Sequence, residues 1–307
     1  MQHATPYHVP VLLKESVDGL AVKPHGTYVD VTFGGGGHSR EILSRLGGKG
    51  RLIALDQDAE AEAGPGAAVF GDRRFTLVRG SFRFLRGYLR YHGVEEVDGI
   101  LGDLGVSWRQ LDAAERGFSF RFDAPLDMRM NRQGGCTAEE LLNARSVQEL
   151  SRIFAGYGEL SNAAKVARLV DAARRQSRIT TTGALVEALR PLIPPLGEHK
   201  YLAKLFQALR IEVNQEMPAL AQMLEQAAKV LKVGGRLAVI TYHSLEDRMV
   251  KNFIRCGSVS GRTEKDAYGR LIAPLQAVNR KVVAPQEAEI RTNTRARSAK
   301  LRIAQKI

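Results

Sequence analysis

An apolar run from Tyr28 to Phe33 breaks into four consecutive glycines, Gly34 to Gly37, and resumes over His38 to Leu46 with helical spacing. Strand, tight turn and helix are predicted there. A second apolar run, Arg51 to Asp56, ends in a carboxylate. A third, Arg74 to Arg79, leads to Gly80-Ser81-Phe82, and a fourth, Val97 to Gly102, delivers Asp103 at its end. Helical patterns fill the intervals, one short stretch ending at Gly64-Pro65-Gly66 and another running from Phe84 to His92. Strands alternating with helices at this rhythm predict a parallel α/β sheet whose ligand lies beyond its carboxyl edge. A helix-like lead-in over His8 to Leu20, with Gly19 as its stop, precedes the first strand. Its polar residues His8 and Lys14 either face the site or hold structural roles, the structural role being the one expected.

After Asp103 the alternation stops. Asp103 to Asp112 and Gly117 to Asp127 mix aromatic residues, Arg and Asp without a period, as a long loop at a site edge would. Thr137-x-x-Glu140 and Ser146-x-x-Glu149 read as capping boxes opening helices. Helical patterns follow over Ala163 to Arg174, Thr182 to Leu189 and Lys200 to Val213. Residues 108–213 are therefore expected to form an inserted all-helical domain suited to substrate selection, splitting the sheet domain into 1–107 and 214–307. The sheet pattern returns with a helix from Pro218 to Leu231, closed by Gly234-Gly235, and a fifth strand from Arg236 to Tyr242. His243 sits at that strand's carboxyl end. Ser244-x-x-Asp247 reads as the capping box of the next helix, Leu245 to Ile254. His243 itself admits a structural role or contact with a substrate. A polar loop, Gly257 to Gly269, and an alternating last strand, Ser298 to Ala304, complete the chain, which shows no internal repeat.

Composition narrows the class. The 307 residues are 44% hydrophobic, enough for a real core, yet no stretch has the length and apolarity of a membrane span. The N-terminal stretch lacks a basic segment followed by an apolar one, so no secretory leader is expected. Cys136 and Cys256 are the only 2 cysteines, without a Cys/His spacing that binds zinc, so a cytoplasmic location without a metal is expected. The chain carries a net charge of +12, and Arg262 to Lys306 alone holds 11 basic against 4 acidic residues. Such a balance favours a polyanionic partner.

The chemistry starts at the glycines. They admit a close ligand approach, and the first free N–H groups of the following helix point into the same space. Asp56 lies 20 residues beyond Gly36, a spacing that suits an acid accepting both hydroxyls of a ribose. Phe82 is placed either to support an adenine or to pack in the core. Nicotinamide-dependent oxidoreductases and S-adenosylmethionine methyltransferases share this layout. Against the first, Ser39 stands where the third glycine of G-x-G-x-x-G would fall, and Asp103-Leu104-Gly105 has no place in hydride transfer. A non-catalytic RNA-binding protein on the same fold is a further alternative, supported by the basic tail.

Several separated stretches then agree. Asp30-x-Thr32-x-Gly34-x-Gly36 resembles the first methyltransferase motif. Phe33-Gly-Gly-Gly-Gly-His-Ser39, Asp103-Leu-Gly-Val-Ser107, Gln110-Leu-Asp112, Glu115-Arg-Gly-Phe-Ser-Phe120, Pro125-Leu-Asp-Met-Arg129, Phe206-Gln-Ala-Leu-Arg-Ile211 with Val213-Asn214, and His243-Ser-Leu-Glu-Asp-Arg248 are similar to the bacterial ribosomal small-subunit methyltransferase H family. The resemblance runs from His8 to the final strand. It implies a Rossmann-like class I methyltransferase sheet with an inserted all-helical substrate-recognition domain. It also implies methyl transfer from S-adenosyl-L-methionine to the exocyclic N4 of a cytidine in the decoding region of 16S ribosomal RNA, with the small ribosomal subunit as partner. Whether the chain pairs as a homodimer is left open.

By that resemblance Gly36, Gly37 and His38 hold the methionine end of the cofactor, Asp56 the ribose and Phe82 the adenine, while Asp103 and Gln110 complete the pocket. Departures fall at Trp108 and Arg109, where Ser and Pro are usual, at Gly35, where a larger residue is common, and at Tyr201 to Lys204. The cytosine amine must lose conjugation with its ring before it attacks, so an acceptor for its N–H is needed. Asp103 is the first candidate catalytic residue, His243 the second, and a backbone carbonyl of Leu104-Gly105 a third. Phe118, Phe120 and Trp108 are either platforms for an extruded base or packing of the loop. Arg116, Arg121, Arg129 and the basic tail are expected to bind phosphate.

Overall fold

The computed structural model describes residues 10–63, 65–269, 271–279 and 281–307, so His8 lies outside the described residues. The chain divides into two compact units, one formed by residues 1–105 with 217–307 and the other by 106–216.

The first unit opens with α1 (Leu13–Leu20), which ends where Ala21 takes the left-handed conformation at φ 51°, rather than at Gly19. There follow β1 (Thr27–Asp30), α2 (Gly37–Arg45), β2 (Arg51–Asp56), β3 (Phe75–Arg79), α3 (Leu85–Tyr91) and β4 (Val97–Asp103). The helical block of the second unit comprises α4 (Trp108–Asp112), α5 (Ala138–Ala144), α6 (Val147–Gly156), α7 (Ala163–Gln176), α8 (Thr182–Ala188) and α9 (Glu198–Asn214). The chain returns through α10 (Glu216–Val230), β5 (Leu231–Thr241), α11 (Ser244–Cys256), β6 (Leu275–Ala277), α12 (Glu287–Thr292) and β7 (Lys300–Lys306).

The seven strands form one sheet in the order β3-β2-β1-β4-β5-β7-β6. β1 to β5 run parallel, while β7 runs antiparallel to both β5 and β6. The inner strands are apolar without alternation because helices cover both faces of a parallel sheet. Tyr28, Val29, Leu52, Ile53, Ile100, Leu101, Val239 and Ile240 are fully buried accordingly. β5 starts five residues before Arg236. Gly234 and Gly235 therefore lie inside the strand, where the register jumps between Val97↔Leu231 and Gly99↔Arg236 and Gly234 takes φ 81°. A bulge of this kind lets the strand bend without losing its partner.

In the second unit the two expected capping boxes are present. Thr137 and Ser146 accept from the N–H groups of Glu140 and Glu149, whose carboxylates return to the cap N–H groups. The stretch expected to be irregular contains α4, opened by a third box between Ser107 and Gln110. Arg116 was expected at a phosphate but is fully buried, its Nη2 donating to the carbonyls of Arg129 at 2.9 Å and Met130 at 3.2 Å. Its guanidinium sits 5.8 Å from the Phe118 ring centroid. Arg129 is committed to Asp127, Nε to Oδ1 2.7 Å, whereas Arg121 is exposed. Phe118 is buried and Phe120 packs edge-on against Phe206 and His199, so both rings belong to the packing of this unit. Trp108 is half-buried in α4. Asn214 closes the loop, accepting from the Met130 N–H at 2.7 Å and donating to the Met128 carbonyl at 2.8 Å.

Candidate active site

The strand order reverses between β1 and β4, and at such a switch point an open α/β sheet leaves a crevice beyond its carboxyl edge. Four glycines follow β1 at this place. Gly36 is the N-cap of α2 at φ 73°, a left-handed conformation, and its N–H donates to the Phe33 carbonyl at 2.8 Å. A Cβ on Gly37 would come within 2.0 Å of Pro10 Cγ. Backbone conformation dictates glycine at the first position, and close packing dictates it at the second.

Three carboxyls close the crevice from the ends of neighbouring strands. Asp56, at the end of β2, accepts the Gly34 N–H at 2.8 Å on Oδ2 and the Asp58 N–H at 2.8 Å on Oδ1. Asp30, at the end of β1, accepts from Ser39 Oγ at 2.7 Å and from the Thr32 N–H at 3.1 Å. Asp103, at the end of β4, donates its own N–H to Thr32 Oγ1 at 2.6 Å and accepts the Tyr242 hydroxyl on Oδ1 at 2.7 Å. Its Oδ2 lies 3.9 Å from His38 Nδ1. The His38 ring faces the Val11 carbonyl at 3.1 Å through Nε2, so in the neutral ring Nε2 carries the hydrogen and Nδ1 faces Asp103 as an acceptor.

Burial raises all three carboxyls above the ordinary range. Asp30 and Asp56 are pushed up to about 6, opposed by the hydrogen bonds they accept. Asp103 reaches about 7 through burial, with the negative charges of Asp30 and Glu246 adding to it and the Tyr242 hydrogen bond working against it. Tyr242 is held well above its own ordinary value by burial and by Asp103, so its hydroxyl keeps the proton it donates. No sequence pattern singled out Tyr242. The one available signal is its position, the residue directly after β5 at the same carboxyl edge that carries Asp103.

The remaining candidates divide. Phe82 stands half-buried in the turn after β3, where Ser81 accepts the Arg83 N–H. Gln110 belongs to the second unit, buried in α4, where its Oε1 accepts the Ser107 N–H at 2.9 Å. His243 is the N-cap of α11: its Nδ1 accepts the Glu246 N–H, and Glu246 Oε2 accepts the N–H groups of Tyr242 at 2.8 Å and His243 at 3.3 Å. The capping box is thus His243-x-x-Glu246, not Ser244-x-x-Asp247. Asp247 is drawn away by Arg302, Nε to Oδ1 2.7 Å, and by Lys300 at 3.5 Å.

Buried acids at the ends of three adjacent strands are hostile to the pyrophosphate of a dinucleotide and favour a ligand that brings positive charge together with hydroxyls. On a parallel sheet of this strand order, such a ligand is S-adenosylmethionine, and the protein is a methyltransferase of Rossmann-like fold. The family is equally definite. The chain belongs to the MraW methylase family, whose model matches residues 5–307.

A relative from Bacteroides thetaiotaomicron, named ribosomal RNA small subunit methyltransferase H, is 58% identical over 300 residues, covering 98% of this chain and 97% of its own length. A relative of the same name from Flavobacterium johnsoniae is 52% identical over 301 residues, with 98% of each chain covered. Among solved structures, an rRNA methylase from Streptococcus thermophilus superposes with a TM-score of 0.42 at 13% identity, over 98% of this chain and 99% of its own.

Proposed function

We propose that the chain methylates ribosomal RNA of the small subunit, transferring the methyl group of S-adenosylmethionine to the exocyclic N4 of a cytidine in the decoding region of 16S RNA. The names of relatives that are 58% and 52% identical over nearly the full chain support the substrate. The observation that carries the chemistry is Asp103, a carboxyl at about 7 whose Oδ1 is engaged by Tyr242.

When bound, S-adenosylmethionine supplies a methyl carbon on a positively charged sulfur that departs readily. The chain's work is to orient that methyl and to ready the nucleophile. Gly36 and Gly37 admit the methionine end, with His38 in the first turn of α2 beside them. Asp56 takes the ribose hydroxyls, exchanging part of its hold on the Gly34 N–H, and Phe82 supports the adenine. Residues 108–213 select the RNA.

Asp103 accepts a proton from the cytosine amine on Oδ2 as the nitrogen becomes tetrahedral and attacks. A group near 7 serves as base at neutral pH because it is substantially ionised and still holds a proton well. Tyr242 keeps that carboxylate oriented, and His38 faces its other oxygen. His243, committed to the cap of α11, is the weaker candidate for the same step.

The test uses small subunits from cells lacking this protein, tritiated S-adenosylmethionine and the purified chain, followed by nucleoside analysis. Label in N4-methylcytidine at one decoding-region position is expected, with a loss of roughly 10²-fold or more in turnover for Asp103→Asn. Label on another base or another atom of cytosine would overturn the substrate assignment. An Asp103→Asn variant with wild-type rates would remove Asp103 as the base.

A further inference from the structure

The edge of the sheet opposite β3 carries a groove of about 530 Å³. It is built from α11, β6, the segment after β6 and the end of β7, and shares no lining residue with the glycine turn. Its floor is apolar, formed by Ile254, Leu275 and Ile303. Its rim is cationic. Lys251 and Arg255 of α11 and Lys281 of the segment after β6 are exposed, and none of them has an ion-pair partner among the described residues. Arg302 also lines the groove but is held by Asp247 at 2.7 Å.

Lys251 and Arg255 stand four residues apart on one helix, where like charges repel. The acid one turn earlier, Asp247, is already shared between Arg302 and Lys300. Among the described residues no acidic side chain lines the groove. An uncompensated cationic rim over an aliphatic floor complements a ligand with negative charge repeated along its length and flat apolar faces between, which is the chemistry of a nucleic acid strand. The surrounding stretch from Arg262 to Lys306, with 11 basic and 4 acidic residues, adds a field of the same sign.

The geometry points to this groove as a second RNA-binding site, which holds the phosphate backbone of single-stranded RNA apart from the methyl-transfer site. The inference rests on the proposed ribosomal RNA substrate and adds to it a surface with its own test. Among the described residues no aromatic side chain lines the groove, so binding is driven by phosphates and depends little on sequence.

The test is fluorescence anisotropy with a labelled single-stranded RNA of mixed sequence, comparing the wild-type chain with a Lys251→Gln/Arg255→Gln/Lys281→Gln variant over a range of salt. The variant is expected to bind at least roughly tenfold more weakly at low salt. Its plot of log affinity against log salt should flatten by about 2, since each of three lost phosphate contacts contributes about 0.7. Affinity for S-adenosylmethionine and the thermal midpoint should stay at wild-type values, because the three side chains are exposed and remote from the glycine turn. Unchanged RNA affinity and slope would overturn the proposal. Poly-L-glutamate binding the wild type as tightly as RNA, and weakening equally in the variant, would overturn it in favour of an acidic protein segment. A wild-type chain that binds RNA through these three residues yet methylates no ribosomal RNA would contradict the proposed function and leave the groove standing.

Discussion

At Gly37 an added methyl group would lie 2.0 Å from Pro10 Cγ, whereas at Gly35 it would meet nothing within 4 Å. The two neighbours in one glycine run therefore answer to different constraints. Gly37→Ala should destabilise by about 1–3 kcal/mol, the usual effect of forcing an extra carbon into packed surroundings. Gly35→Ala should leave stability unchanged or raise it by up to about 1 kcal/mol, since alanine narrows the unfolded ensemble. Urea denaturation of both variants checks this, and equal losses at both positions would contradict it. Tyr242 and His38 matter at the same scale, because each addresses one oxygen of Asp103.

At the scale of elements, what could be foreseen was local. The glycine turn, the acids closing β2 and β4, and the boxes at Thr137 and Ser146 are each written within a few neighbouring residues, and a short-range pattern is enough to find them. Where partners come from far along the chain, the pattern misleads. Ser244-x-x-Asp247 has the spacing of a capping box, but Arg302, 55 residues later, claims Asp247 and shifts the cap to His243. Arg116 has the charge of a phosphate ligand, yet it is buried to hold two carbonyls of a loop 13 and 14 residues away. β6 is three residues long and exists only because β7 offers it an edge, so no periodicity announces it. Helix α4 was hidden for another reason: five residues are too few to show a helical period, although the Ser107-x-x-Gln110 cap was present.

On the scale of the whole molecule, the raised carboxyls set how stability depends on pH. Asp30 and Asp56 at about 6 and Asp103 at about 7 hold protons in the folded chain that an unfolded chain releases near pH 4. Their contribution is therefore fully present below about pH 4 and lost as pH rises through 6 to 7. Asp72, Asp98, Asp127 and Asp247 are shifted downward and act only in the acid range, so they do not offset the loss. The ligand-free chain should have a lower thermal midpoint at pH 8 than at pH 5.5, by roughly 5 °C. Added S-adenosylmethionine should restore more at pH 8, where the acids it neutralises are ionised. Calorimetric scans at the two pH values test this, and a ligand effect independent of pH would count against the acids as its cause.

The account depends most on a cationic methyl donor being held between the glycine turn and Asp56, and isothermal titration of the purified chain measures that directly. S-adenosylmethionine should bind at one site, NAD should give no saturable heat, and Asp56→Ala should weaken the affinity at least roughly tenfold, as expected when a carboxylate loses charge-assisted hydrogen bonds. A folded wild-type chain that takes up no S-adenosylmethionine, or an Asp56→Ala variant that binds it as tightly as the wild type, would contradict the account.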